Sequence, residues 1–310
     1  MVFCARAAAM ATCSAPPAWL DSNGPPWVQP YWAERLEPLD AGDAGLAYVV
    51  PDFLSAAETS HILRRAQSLA HGESKPYVSM VLGSRGDDGL VDPTLEAIEA
   101  RIANLTGVPA GDVPRVSLNR PWGAEHAASR LALQNLHHDQ NQRPRRALTV
   151  LIYLSGGEDE GGHEEVLQGG ETLFPCVTAR AQAEDGATER DAGISGTILG
   201  RMELCERLER AYHARRLALT MPNGIFKTPS FDPQAALAAS ELCRSPSGSG
   251  GDAAQVALRV APRRGSALLF RYVRLDAPSH ALPRMWHGGC RVVSGEKWTY
   301  QMFKELPEGS

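Results

Sequence analysis

Three residues of this chain have types and spacing suited to sharing a metal ion: His137, Asp139 and, far downstream, His287. On an extended strand, positions i and i+2 project to the same side. His137 and Asp139 can therefore present an imidazole and a carboxylate to one point while His138 faces away. A histidine from a distant strand would complete two imidazoles and one carboxylate on one face of an octahedron. That donor set suits non-haem Fe(II) and leaves positions open for substrate and oxygen. His287, in the segment MWHGGCRVVSGEKW, is the better third ligand. His280, seven residues earlier, lacks the GGC that follows His287 and the spacing to a lysine, and reads as a loop residue. Lys297 comes ten residues after His287. After a turn it returns on the neighbouring strand, where a fixed ammonium would hold the far carboxylate of a dicarboxylic cosubstrate. A His-x-Asp pair alone is more often a surface turn than a ligand pair, so the weight rests on the whole constellation. His61 and His213 read as solvent-facing helix residues, His71 as a helix end, and His126 and His163 as loop residues.

Such residues need strands to position them. The run LTVLIYL at 148–154 is apolar and β-branched, bounded by RPRR and SGGEDEGG, and reads as a buried strand. Further short strands at 46–50, 169–175, 255–260, 266–272 and 297–304, separated by turn residues, predict a sandwich or barrel. Two helices precede them. Ser55 with Glu58 makes a capping box that opens a helix to about residue 70. Asp92-Pro93 opens another, with Leu95, Ile98, Ile102 and Leu105 on one face before Gly107 stops it. From 177 to about 254 the pattern changes. RMELCERLERAYHARRLAL puts Leu204, Leu208, Ala211 and Leu219 near one face and spaces Glu203 with Arg207, and Glu206 with Arg210, at helical intervals. An inserted helix is predicted there, closed by the linker-like SPSGSGG at 245–251.

The composition narrows the function classes. With 31 Lys and Arg against 36 Asp and Glu, the net charge of −5 lacks the basic footprint of a nucleic-acid binder. No apolar run reaches the ~18 residues of a membrane-spanning helix, and the chain reads as soluble. A hydrophobic fraction of 43% excludes wholesale disorder, and 29 Gly with 22 Pro favour a turn-rich β protein over a helix bundle. Six dispersed cysteines without a CxxC pair imply neither a zinc site nor a dense disulfide framework. Residues 1–45, with PPAWL, NGPPW and QPYW and a faintly signal-like Ala-rich start, read as a disordered or targeting tail. Residues 46–310 read as one domain.

Taken in order, HHDQN (137–141), RALTVLIYLS (146–155), GGETLFP (169–175), PRRGSALLF (262–270) and HGGCRVVSGEKW (287–298) resemble the prolyl 4-hydroxylase group of Fe(II)- and 2-oxoglutarate-dependent dioxygenases. YVVPDFLSAAETSHILRRA (48–66) resembles the strand and helix that precede the core of that family, so the likeness spans about residues 46–305, the insertion excepted. The resemblance implies a mostly β fold: a double-stranded β-helix of jelly-roll or cupin type with N-terminal helices. It implies that His137, Asp139 and His287 bind iron and that Lys297 pairs with the C5 carboxylate of 2-oxoglutarate. The hydroxyls of Thr172 and Tyr153 would point at that cosubstrate, and Arg146 would contact a peptide substrate. Plainer readings stand beside these: Tyr153 as a core aromatic, Thr172 as an ordinary strand residue, and Arg146 as part of a basic turn with Arg143 and Arg145. The chain also departs from the family. No tyrosine stands on the approach to the His-x-Asp pair, where Asn119 or Gln134 are the available substitutes. Phe303 replaces a common tryptophan, and the insertion is long enough to cover the mouth of an active site.

The implied activity is hydroxylation of peptidyl proline at C4, using Fe(II), 2-oxoglutarate and O2, releasing succinate and CO2, with L-ascorbate keeping the iron reduced. The implied partner is a proline-containing peptide or protein. Two alternatives remain open: the same chemistry on another side chain or a small molecule, and a catalytically silent jelly-roll that only binds. The intact triad with Lys297 weighs against the silent module. The endoplasmic reticulum lumen and the cytoplasm are both compatible with the chain, and oligomeric state has no sequence signal.

Overall fold

Apolar alternation in the chain is realised as two facing antiparallel sheets. The computed structural model describes residues 35–40, 46–86, 89–108, 113–121, 132–141, 146–157, 166–179, 200–220, 233–244, 257–273 and 282–305. In chain order these form β1 (Glu37–Pro38), β2 (Ala47–Val50), α1 (Ala56–Leu69), β3 (Tyr77–Val81), α2 (Pro93–Thr106), β4 (Arg115–Asn119), β5 (Leu133–His137), β6 (Arg146–Tyr153), β7 (Gln168–Gly169) and β8 (Thr172–Thr178). They continue with α3 (Arg201–Thr220), α4 (Pro233–Arg244), β9 (Ala257–Val260), β10 (Ala267–Arg271), β11 (His287–Cys290), β12 (Val292–Ser294) and β13 (Lys297–Glu305). The large sheet has the order β1-β2-β10-β6-β13-β4-β3, the small one β5-β11-β8-β9, and β7 pairs with β12 in a separate ribbon. Beginning at β4, the chain passes back and forth between the sheets: β4, β6, β10 and β13 lie in the large one and β5, β8, β9 and β11 in the small one. That interleaving is a double-stranded β-helix, and the fold is mostly β with flanking helices.

Period-two alternation separates the layers. On β6, Leu148, Val150 and Ile152 turn outward into a cluster with Ile62 and Leu63 of α1 and Ile98 and Ile102 of α2. Ile62, Ile98 and Ile102 are fully buried there, each stabilising the fold by about 1.5–3 kcal/mol relative to exposure. Tyr153 turns inward, into a core between the sheets with Phe174, Val260, Leu268, Phe270 and Tyr272. The helices start as their caps dictate: Ser55 and Glu58 form the capping box of α1, Asp92 caps α2, and Gly107 ends α2 in the left-handed conformation.

Several boundaries differ from the sequence reading. Residues 37–40 belong to the fold: β1 pairs with β2, and the Asp40 carboxylate accepts from the Leu46 and Ala47 amides at 2.9 and 3.2 Å. A two-residue strand has no periodicity to read. The strand expected at 169–175 is split because Gly169 and Gly170 both adopt φ near +75°, which ends β7 and starts β8 afresh. The insertion carries a second helix, α4, and its helices pack on the outer face of the small sheet. Leu204, Leu208 and Tyr212 of α3 and Ala235, Ala238 and Ala239 of α4 meet Leu133, Leu136 and Leu173 there. The 245–251 linker, His126, His163, His280 and the Pro- and Trp-bearing 1–34 stretch lie outside the described residues.

Two disulfides, short of a dense framework, fasten this insertion. Cys205 of α3 joins Cys176 of β8, and Cys243 of α4 joins Cys290 of β11, with sequence separations of 29 and 47. Pairing depends on which distant segments meet, which spacing alone does not reveal. Replacing Cys243 and Cys290 together by Ala is expected to lower stability by about 2–5 kcal/mol. Urea unfolding measures it, and an unchanged midpoint would show that this link does not constrain the chain.

Candidate metal centre

Strand β5 ends at His137, and the chain then enters a 3-10 turn over Asp139–Asn141. The His-x-Asp pair therefore straddles a strand end instead of lying on one strand. His287 stands directly opposite His137 in the antiparallel β5 and β11 register, and their ring centroids are 4.3 Å apart. His137 Nε2 lies 3.1 Å from Asp139 Oδ1, and His287 Nε2 lies 3.7 Å from Oδ2. One donor atom from each residue falls within 4.8 Å of the other two, and among the described residues this is the one such cluster. Two imidazoles and a carboxylate are a donor set able to hold Fe(II) or a similar divalent ion. The His137 side chain is 35% exposed against 6% for His287 and 2% for Asp139, so the cluster opens to solvent on the His137 side.

Neighbouring groups prepare each donor. His287 Nδ1 lies 3.1 Å from the Met285 carbonyl, which holds the ring proton there and leaves Nε2 as a lone pair facing Asp139. Burial, reinforced by His137, pushes the His287 pKa down to about 3, so the ring is neutral, as a ligand must be. Burial alone would raise the Asp139 carboxyl. The two imidazoles and the Tyr272 hydroxyl outweigh it and hold the group below the usual carboxylate range. Asp139 Oδ2 is engaged by the Thr149 hydroxyl at 2.8 Å and by the Tyr272 hydroxyl, leaving Oδ1 turned toward His137. Such outer contacts orient a ligand, and their loss typically costs roughly 10–100-fold in metal affinity. Tyr272→Phe is expected to weaken Co(II) binding by that amount in a spectroscopic titration, and an unchanged affinity would show that Thr149 alone orients the carboxylate.

A second group of residues lines the same interior. Thr172 pairs with Gly289, two positions along β11 from His287, which places it about 7 Å from that histidine along the strand. Its hydroxyl lies 2.8 Å from the Tyr153 hydroxyl, and burial pushes the Tyr153 phenol above its ordinary value. Lys297 opens β13, is buried, and sets its ammonium 5.6 Å from the Tyr153 ring centroid. Burial pushes the Lys297 pKa down to about 8, with Glu171 acting in the opposite sense. Gly170, at φ +75°, lets the lysine stem pass: a Cβ there would sit 3.1 Å from Lys297 Cδ. A buried cation facing the ring of a tyrosine whose hydroxyl is paired with that of Thr172 is a setting able to receive a carboxylate. Arg146 lies at the other end of β6, its guanidinium 3.5 Å from the Phe303 ring centroid and donating to the Asp139 carbonyl at 3.3 Å. The aromatic at 303 thus serves as a platform for the arginine behind the Asp139 turn.

Comparison with known proteins adds an independent finding. No family model matches the chain. Prolyl 4-hydroxylase 2 of Arabidopsis thaliana is 24% identical over 265 residues, covering 82% of this chain and 64% of its own length. Probable prolyl 4-hydroxylase 4 of the same plant is 27% identical over 266 residues, covering 82% and 65%. This chain is similar to prolyl 4-hydroxylases. It spans just under two thirds of the length of those two relatives. Among solved structures, a viral collagen prolyl hydroxylase from Paramecium Bursaria Chlorella virus-1, in complex with 2OG, aligns with a TM-score of 0.43 at 14% identity, covering 86% of this chain and all of that one.

Beside this likeness to prolyl 4-hydroxylases, the structure brings His137, Asp139 and His287 into one cluster, and Lys297, Tyr153 and Thr172 into a second group that spans the two sheets; Lys297 returns on β13 of the large sheet, after β12, and not on a strand next to that of His287. Asn119 stands opposite Lys297 in the β4 and β13 register, while the Gln134 side chain lies outside the described residues. Sequence reasoning missed Tyr272 and Thr149. Both carried a signal, because Leu268, Phe270 and Tyr272 alternate onto one face, as do Thr149 and Tyr153. It also treated His138 as merely turned away. The ring is buried, packs against Tyr212, Tyr272 and Trp286, and sets Nε2 3.1 Å from the Leu282 carbonyl.

Proposed function

We propose that the chain is an Fe(II)- and 2-oxoglutarate-dependent dioxygenase that hydroxylates peptidyl proline at C4. The observation that carries this reading is a His137, Asp139 and His287 cluster, open to solvent only on the His137 side, on the small sheet, facing a buried ammonium, Lys297, on the large one. In this reading residues 46–310, together with 37–40, form the catalytic domain. His137 Nε2, Asp139 Oδ1 and His287 Nε2 would hold the iron. Lys297 would pair with the C5 carboxylate of 2-oxoglutarate, and the Tyr153 and Thr172 hydroxyls would complete that carboxylate's hydrogen bonds. The strand spacing between His287 and Thr172 suits a short dicarboxylate reaching from the metal to Lys297.

When bound, iron and 2-oxoglutarate supply the oxidation of an unreactive C–H bond, consuming O2 and yielding succinate, CO2 and the hydroxylated product. Ascorbate would restore iron oxidised in turnovers that miss the substrate. The chain's own part is to orient and to exclude water. Asp139 is locked by Thr149 and Tyr272, His287 is fixed by Met285, and the apolar wall of Phe174 and Phe270 closes the interior, their ring centroids 5.5 and 4.8 Å from that of His287. The exposed side of His137 is the route by which a peptide would approach, with Arg146 as its contact. Proline as the target comes from the names of the relatives. The two disulfides favour an oxidising compartment, the endoplasmic reticulum lumen over the cytoplasm.

Succinate release, measured against collagen-like, hydroxyproline-rich-glycoprotein-like and polyproline peptides with mass spectrometry of the products, tests this reading. One added oxygen on a proline is expected. Oxygen found on a different residue, or no response to any proline peptide, would shift the assignment to another substrate.

A further inference from the structure

The inserted helices do more than cover the small sheet. Helix α3 is fastened to β8 by Cys176–Cys205 and by Arg201, whose Nε donates to the Pro175 carbonyl at 2.9 Å. From that anchorage it brings Tyr212, which is buried, against the back of the turn that carries Asp139. The Tyr212 hydroxyl donates to Gln140 Oε1 at 3.0 Å, and its ring lies 4.7 Å from the His138 ring, centroid to centroid. Both contacted residues are sequence neighbours of Asp139. The Gln140 side chain also ties the turn to the start of β6, with Nε2 donating to the Arg146 carbonyl at 2.6 Å. The Gln140 amide N–H lies 3.3 Å from His138 Nδ1, which matches a tautomer carrying its proton on Nε2 toward Leu282. The His138 and Gln140 side chains thus close a network that fixes the backbone on either side of the aspartate, and Tyr212 joins it from the insertion.

We propose that α3 braces the metal centre, with Tyr212 as a positioning residue that holds the His137–Asp139 turn through Gln140 and His138. This proposal rests on reading His137, Asp139 and His287 as metal ligands. It assigns the insertion a task different from covering the mouth of the site. The physical reason is that a short 3-10 turn at the end of a strand has few hydrogen bonds of its own, and a metal ligand displaced by a fraction of an ångström binds poorly.

The test uses the full chain and Co(II) alone, without cosubstrate, followed by its visible ligand-field spectrum. Tyr212→Phe removes the hydroxyl and keeps the ring. It should weaken Co(II) binding roughly threefold to tenfold, the effect of one lost hydrogen bond. Tyr212→Leu removes both contacts and should weaken it roughly 10–100-fold with a shifted spectrum, as expected for a disturbed outer shell. Met202→Ala, on the exposed side of α3 at 80% exposure, should change nothing. Variants that melt earlier yet keep the wild-type Co(II) affinity and spectrum would overturn the positioning role and leave Tyr212 a packing residue. A wild-type chain that does not bind Co(II), or a His287→Ala variant that binds it as well, would overturn the ligand assignment and this proposal with it. Should Tyr212→Leu fail to fold, Tyr212→Phe decides the matter by itself.

Discussion

His287→Ala is expected to abolish succinate formation, by at least about 1,000-fold, given that outer contacts alone are worth about 10–100-fold in metal affinity. His287 supplies one of only three donors, and no other His, Cys, Asp or Glu among the described residues joins that cluster. The ring is fixed by the Met285 carbonyl and wedged between Phe270 and His137, so a neighbour cannot swing in to replace it. Alanine also leaves the rest of β11 able to pair with β5 and β8, so the fold should survive. The measurement is iron retained after anaerobic loading and desalting, beside a circular-dichroism spectrum that should match the wild type. Retained iron and activity would exclude His287 as a ligand.

Lys297→Met should weaken 2-oxoglutarate binding by roughly 10–1,000-fold, since a charge-assisted contact in a dry site is lost. Thermal stability should hold or rise, because the methionine stem packs as the lysine did without a desolvated charge. The lysine also gives the wild type a pH signature. The ammonium has a pKa pushed down to about 8 by burial, and the dicarboxylate needs the protonated form. Affinity should therefore be flat below about pH 8 and fall as pH rises beyond it, by up to about tenfold per pH unit, until the pKa of the complex is reached. Lys304 is likewise pushed down to about 8 by burial. It alternates onto the outer face of β13 with Met302 and Tyr300, which pack in the α1 and α2 core, so it does not face the cosubstrate group. The Lys297→Met chain keeps Lys304 and should lose the pH dependence. Persistence of the alkaline fall in that variant would assign it to another group. Isothermal titration at several pH values reads both effects.

The parts of this site that were legible in the sequence share one property: local spacing carried them. The continuous apolar, β-branched run LTVLIYL set β6 as a buried strand, and the capping box at Ser55 and Glu58 set the start of α1. The His137 to Asp139 spacing survives folding because it spans one strand end, and the ten residues from His287 to Lys297 because they carry the chain through the short β12 from one sheet to the other. What escaped depends on contacts between distant segments. The register that puts His287 opposite His137, the Cys176–Cys205 and Cys243–Cys290 pairs, and the Tyr272 hydroxyl on Asp139 join residues remote in sequence. Helix α4 was missed although PQAALAASELCR is amphipathic, with Ala235, Ala238 and Ala239 on the face that packs on the small sheet, so its signal was legible and went unread. Tyr212 was visible as a helix residue, but its partner Gln140 was not, because side-chain hydrogen bonds across a sheet leave no periodic trace.

The most direct test of the iron and 2-oxoglutarate assignment is an anaerobic absorption titration of the full chain. Fe(II) and 2-oxoglutarate added together should produce the visible charge-transfer band of the chelate, absent with either alone and absent in His137→Ala. No band from the wild-type chain, or an undiminished band from His137→Ala, would contradict that assignment.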